Sequence, residues 1–209
     1  MAKKESSFKN MVLTLSLIAS VAAVALGFVY KYTVDPIAQV KKEELKKSIN
    51  LVVPGADKGK IVEVAVKPDD GVDSLYFYEV NIGDKRIATA VKSYTDNGFS
   101  GRFTIMVGFD TAGNIIDNNV LEHKETPGLG DKTSKSKSTW NEQFKGKNPG
   151  VFKLKVKKDG GDVDAITAAT ISSRAYCDAL QRAFNAYQKH YNLNPNAAQG
   201  EQNNGGNNQ

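Results

Sequence analysis

The densest run of potentially reactive groups is Asp164-Ala165-Ile166-Thr167-Ala168-Ala169-Thr170-Ile171-Ser172-Ser173. Thr167, Thr170, Ser172 and Ser173 bring four hydroxyls to the start of an amphipathic stretch. Ala168 and Ala169 are small enough to let another molecule approach the backbone. A helix beginning here presents free N–H groups and the positive end of its dipole, which together favour phosphate. Ordinary capping uses the same residue types: Thr170 or Ser172 as N-cap would need no ligand. The pattern alone leaves both readings open.

A second segment is His123-Lys124-Glu125-Thr126-Pro127-Gly128-Leu129-Gly130-Asp131-Lys132. Pro-Gly-Leu-Gly is a constrained turn that can lay backbone N–H groups and Leu129 against a planar ligand. Gly and Pro are equally common in plain connections.

Several chemistries are excluded. The sequence has no Walker loop, no GxGxxG and no HExxH. Its two histidines, His123 and His190, lie far apart. The single cysteine, Cys177, sits among Ala175, Tyr176, Ala179 and Leu180 and reads as a buried thiol. One thiol cannot hold an iron–sulfur cluster, so redox chemistry would need another cofactor. The net charge of +5 is modest, and no nucleic-acid-binding motif is present. An anionic lipid surface or an acidic partner suits that charge better.

The elements that must position these segments follow from hydrophobic patterning. Met11 to Tyr30 is twenty residues without a charge, about 30 Å as a helix, which matches the hydrocarbon layer of a bilayer. Its length favours an uncleaved anchor over a signal peptide. Flanking lysines (Lys3, Lys4 and Lys9 before; Lys31, Lys41, Lys42, Lys46 and Lys47 after) do not settle its orientation. Asp35 to Asn50 reads as a separate juxtamembrane helix, with Asp35 as cap and Pro36 in its first position. Strands are expected at 61–66, 75–82, 87–92, 102–109, 114–121 and 151–156. A hairpin loop is expected at Asp110-Thr111-Ala112-Gly113, and helices at 133–144 and 172–191. The fold expectation is α+β: one N-terminal transmembrane helix, then a largely antiparallel twisted sheet with packed helices. The expected division is a cytoplasmic N-terminus (1–10), the transmembrane helix (11–30), a juxtamembrane helix and linker (31–55), a folded domain (56–191) and a disordered Asn/Gln/Gly tail (192–209).

Taken together, HKETPGLGDK and DAITAATISSRA resemble the FMN-binding domain of the RnfG and NqrC subunits. Asn97-Gly98-Phe99-Ser100-Gly101 and Gly113-Asn114-Ile115 extend the resemblance over roughly residues 30 to 190. In those families an FAD-dependent flavin transferase recognises Asp, two variable residues, Ser or Thr, usually Gly, then Ala and Thr. It places FMN on the last threonine through a phosphodiester. The resemblance matches Asp164, Thr167, Ala169 and Thr170 to that pattern and makes Thr170 the attachment site. The sequence departs at Ala168, where glycine is usual. The resemblance further implies that Thr167, Ala169, Ser172 and the helix start border the cofactor. Glu125, Thr126 and Leu129 would lie against the isoalloxazine, and Trp140 reads either as a further contact or as core. It implies an external globular domain on a cytoplasmic-membrane anchor. It also implies other membrane subunits of an Rnf complex as partners, linking ferredoxin and NAD to ion movement. The related FMN subunit of the sodium-pumping NADH:quinone reductase is the alternative, which the compact length disfavours. A flavin-free anchored module is a third.

Overall fold

The computed structural model describes residues 7–69 and 73–193. The first six residues of the expected N-terminal segment lie outside this range, as does the expected tail beyond Leu193.

The chain divides into two units, Met1–Leu45 and Lys46–Gln209. Helix α1 runs from Phe8 to Val52. Its apolar part is long enough to cross a membrane, and its side chains from Phe8 to Glu44 are exposed. The separate juxtamembrane helix expected from Asp35 is not a separate element: Asp35 and Pro36 lie inside α1. Pro36 removes one N–H from the ladder. The residues after it (Ala38, Gln39, Lys41, Lys42, Glu43, Glu44, Leu45) are strong helix formers, so the helix continues past the lone proline. It ends before Pro54-Gly55, where Gly55 takes φ 84°.

The second unit is α+β, as expected. Five strands, β1 (Lys60–Val66), β2 (Leu75–Ile82), β3 (Lys85–Gly98), β4 (Gly101–Asp110) and β5 (Ile115–Glu122), form an antiparallel meander in sequence order. The expected loop joins β4 to β5, and Asp110 Oδ1 accepts the N–H groups of Ala112 and Asn114. Helix α2 (Thr170–His190) packs on one face of the sheet. Tyr176, Leu180, Ala183, Phe184 and Tyr187 of α2 share a core with Phe77, Val91, Phe103, Ile105, Val107 and Phe109. These sheet residues alternate along each strand, as one buried face requires. Ser93 donates to the Ala179 carbonyl at 2.8 Å between them. The C-terminal end of α1 covers the opposite face, where Asn119 Nδ2 donates to Ser48 Oγ at 3.1 Å. Strand β4 is therefore buried on both sides from Phe103 to Phe109.

Two expected elements are absent among the described residues. Residues 133–144 form no α-helix; short 3₁₀ turns occupy Gly130–Thr133 and Trp140–Phe144. Hydroxyls compete for the backbone there: Thr133 Oγ1 donates to the Gly130 carbonyl, and Ser138 Oγ to the Lys132 carbonyl. Residues 151–156 are not a strand. Leu154 and Val156 are buried while Lys153 and Lys155 are exposed, so the alternation is present. The only partner is a single parallel bridge, Val156 to Val163. Cys177 is buried as expected, and burial pushes its thiol up to about 12.

Gly108 lies directly against the C-terminal end of α1. A Cβ there would stand 2.1 Å from the Val52 carbonyl oxygen. Gly108→Ala should therefore cost about 1–3 kcal/mol through overpacking. Urea denaturation of residues 46–209 in the full chain would measure the loss, and an unchanged midpoint would refute it.

Candidate functional site

The start of α2, the loop after β5 and the tip of the β3–β4 hairpin enclose a cleft of about 290 Å³. Its lining contains Phe99, Glu125, Thr126, Leu129, Gly130, Ala168, Ala169, Thr170, Ile171 and Ser172. Six of the sequence-derived candidates thus meet: Glu125, Thr126, Leu129, Ala169, Thr170 and Ser172. Asp164 and Thr167 stand outside this lining. The Asp164 carboxylate pairs with Lys157 at 2.7 Å in the open. Its backbone is clamped instead, accepting from Trp140 Nε1 and donating to Gln143 Oε1. Trp140 belongs to the core: its ring stands edge-on to Tyr176 and Phe144, with centroids 5.2 and 5.3 Å away. It does not line the cleft.

The four hydroxyls have different circumstances. Ser173 is buried, donating to the Ala169 carbonyl and accepting from the Ile166 N–H. Ser172 is buried and donates to Glu125 Oε2 at 2.5 Å. Among the described residues, Thr167 and Thr170 make no side-chain hydrogen bond, and of these two only Thr170 lines the cleft. Capping therefore does not account for Thr170. The N-cap is Ala169, which has no side-chain acceptor, and no other side chain caps the helix. The backbone N–H groups of Thr170, Ile171 and Ser172 have no hydrogen-bond partner among the described residues. An anion beside Thr170 would satisfy them.

Glu125 fixes the floor. It is only 6% exposed, yet its carboxylate accepts from Ser172 Oγ and from the Ser100 N–H at 3.2 Å. Its own N–H donates to His123 Nδ1. Gly130 lies so close that a Cβ would meet Ser172 Oγ at 2.5 Å and Glu125 Oε2 at 2.7 Å. An uncapped helix start whose first N–H groups lack partners, beside an unpaired hydroxyl, fits the phosphate end of FMN.

Three features of this site, Phe99, Ile171 and Gly130, carried no assigned role in the sequence, while Ala168 stood out there as the departure from glycine. Phe99 and Ile171 line the cleft and remain 65% and 46% exposed. Gly130 matters through its missing Cβ. Ala168 adopts φ 62°, in the left-handed region. That angle costs a residue with a Cβ about 1–2 kcal/mol and costs glycine little. It explains why glycine suits this position. Ala168→Gly should consequently stabilise the fold by up to about 1 kcal/mol, glycine's greater freedom in the unfolded chain offsetting part of the relief. A lower melting temperature for that variant would contradict the backbone account.

A family model described as an FMN-binding domain matches residues 98–185, which hold the hairpin tip, the loop and most of α2. The G subunit of the ion-translocating oxidoreductase complex of Shewanella baltica (strain OS223) is 35% identical over 189 residues, covering 86% of this chain and 89% of that protein. Its counterpart in Shewanella loihica is 33% identical over 198 residues, with 89% and 93% covered. That of Yersinia pestis is 33% identical over 179 residues, with 82% and 86% covered. With these identities held over most of each chain, the chain belongs to the RnfG family of ion-translocating oxidoreductase complexes.

Proposed function

We propose that this chain carries FMN covalently on Thr170 and relays electrons within an Rnf complex that couples ferredoxin:NAD electron transfer to ion translocation. The observation that carries the proposal is the unpaired Thr170 hydroxyl, set on an uncapped helix start at the mouth of the cleft. Attachment would form a bond from Thr170 Oγ1 to the FMN phosphorus and break the pyrophosphate of FAD, with AMP leaving. The hydroxyl proton would pass to the transferase, so this chain needs no base of its own. Exposed Asp164 and Thr167, on the approach to Thr170, suit recognition by that FAD-dependent transferase.

Once bound, FMN supplies reversible electron uptake and release. The chain's residues do the rest. The N–H groups of Thr170, Ile171 and Ser172 hold phosphate. Glu125 and Ser172 keep the loop against the helix. Leu129 and Ile171 exclude water from one end of the cleft. No metal-binding group of His, Cys, Asp or Glu is found among the described residues, and the sequence has no dinucleotide fingerprint. In this reading NAD and ferredoxin dock on other subunits of the complex. Helix α1 serves as a single-pass anchor in the cytoplasmic membrane, with the globular domain on the extracytoplasmic side.

Two measurements test this reading. Co-expressed with its transferase, the wild-type chain should gain a covalent flavin mass. Thr170→Ala should lose it completely, and Thr170→Ser should keep part of it. In membranes the Thr170→Ala chain should still co-purify with its neighbours while ferredoxin-to-NAD electron flow stops; full activity in that assembled variant would leave a structural role only. The sidedness is separate. Protease added outside intact spheroplasts should digest the domain, and protection of residues 60–190 would place it in the cytoplasm.

A further inference from the structure

We infer that Phe99 is the aromatic wall against which the flavin ring packs, a role that rests on the proposed attachment at Thr170. Phe99 is the sole aromatic residue lining the cleft. It sits in a two-residue turn between β3 and β4, where Gly98 pairs with Gly101. The one left-handed angle of the turn falls on Gly101, at φ 102°, so position 99 has ordinary backbone and the turn does not call for any particular side chain there. A phenylalanine gains nothing from the turn itself, and this one is 65% exposed. Its ring makes no aromatic contact with any described residue.

The tip that carries it is nevertheless firmly held. The Ser100 N–H is bonded to Glu125 Oε1 at 3.2 Å. Gly98 packs so closely that a Cβ would stand 2.9 Å from the same oxygen. Thr95 Oγ1 donates to Asp178 Oδ2 at 2.5 Å, and Asn97 Nδ2 donates to that oxygen at 3.1 Å. Arg102 pairs with Asp96 across the base of the turn. An exposed apolar ring on a mobile loop would be an ordinary surface feature. An exposed ring on a tip fixed to α2 and to the buried Glu125 is a preorganised surface. It faces the same cleft as Leu129, Ile171 and Thr170, and a planar conjugated ring is the ligand class that an aromatic and two aliphatic side chains would hold.

The test uses the full flavinylated chain in detergent. Intact mass first establishes covalent flavin in the wild type, Phe99→Ala, Phe99→Leu and Phe99→Tyr. Iodide quenching of flavin fluorescence then reports how well the ring is shielded, and redox titration reports its midpoint potential. Phe99→Ala should keep the covalent mass but lower the docked-to-undocked ratio roughly two- to tenfold, the usual worth of an aromatic pair. Quenching should rise accordingly and the potential should move toward that of free FMN. Phe99→Tyr should behave as wild type, and Phe99→Leu should fall between. A flavinylated Phe99→Ala chain with wild-type quenching and potential would overturn the inference and leave the attachment reading intact. A wild-type chain without covalent flavin would remove both.

Discussion

A buried carboxylate cannot be left without donors, and Glu125 is the one on which this site depends. Moving an ionised carboxylate out of water is costly unless hydrogen bonds replace its hydration. Here the replacements come from the Ser100 N–H and the Ser172 hydroxyl, 25 positions before and 47 positions after Glu125. Each charge-assisted bond is worth about 1.5–3 kcal/mol, and losing one leaves the charge partly uncompensated. The β3–β4 tip, the loop after β5 and the first turn of α2 are therefore held in one place by a single side chain. Gly130 follows from the same constraint, since a methyl there would collide with Ser172 Oγ and Glu125, whereas Gly98 is confined first by the Gly101 carbonyl.

Against that fixed floor, two local features run opposite to what stability alone would select. Helix α2 begins without a side-chain cap, which typically forgoes about 1 kcal/mol. Ala168 holds a left-handed angle that glycine would adopt more easily. Both lie within two residues of Thr170. Neither threatens the fold, because α2 buries Tyr176, Leu180, Phe184 and Tyr187 against the sheet, each worth about 1.5–3 kcal/mol or more. Burial thus outweighs the defects at the helix start. Local rules broken together beside a free hydroxyl are a common mark of a binding site.

What could be read from the sequence follows from how each feature is encoded. The five strands and α2 were legible because their hydrophobic periods are local and strong, and the sheet order follows from short connections. The residues around Thr170 were legible as a segment, but its two readings could not be separated by residue type. Only the conformation distinguishes a threonine that caps from one that stands free. Residues 133–156 were misread for a different reason. Their pattern of apolar and polar positions is real, yet Phe144, Leu154 and Val156 plug the core from irregular backbone. Burial pattern reports which side chains face inward and says nothing about whether a neighbouring strand exists. Pro36 misled in the opposite sense: a residue that commonly starts helices lies inside one, where flanking propensity outweighs a single lost hydrogen bond. Phe99 gave a signal that was available but unweighted, namely a large aromatic in the glycine-flanked segment Gly98-Phe99-Ser100-Gly101.

The anchor and the proposed flavin linkage address one physical problem. A non-covalent cofactor in a half-open cleft of about 290 Å³ would be held by few contacts and would exchange with solution. A substrate-converting enzyme could deepen such a cleft to gain affinity. An electron carrier gains more by keeping its ring near the surface, where a neighbouring redox centre can approach. Covalent attachment removes the need for affinity, because the phosphate bond keeps the local ring concentration high regardless of contact area. The protein would then need only enough wall to orient the ring, and Phe99, Leu129 and Ile171 on the cleft lining would supply it. A membrane helix applies the same principle to the domain, replacing a large docking interface with confinement beside the other subunits. On this reading, the shallow cleft and the exposed apolar rim are consequences of tethering.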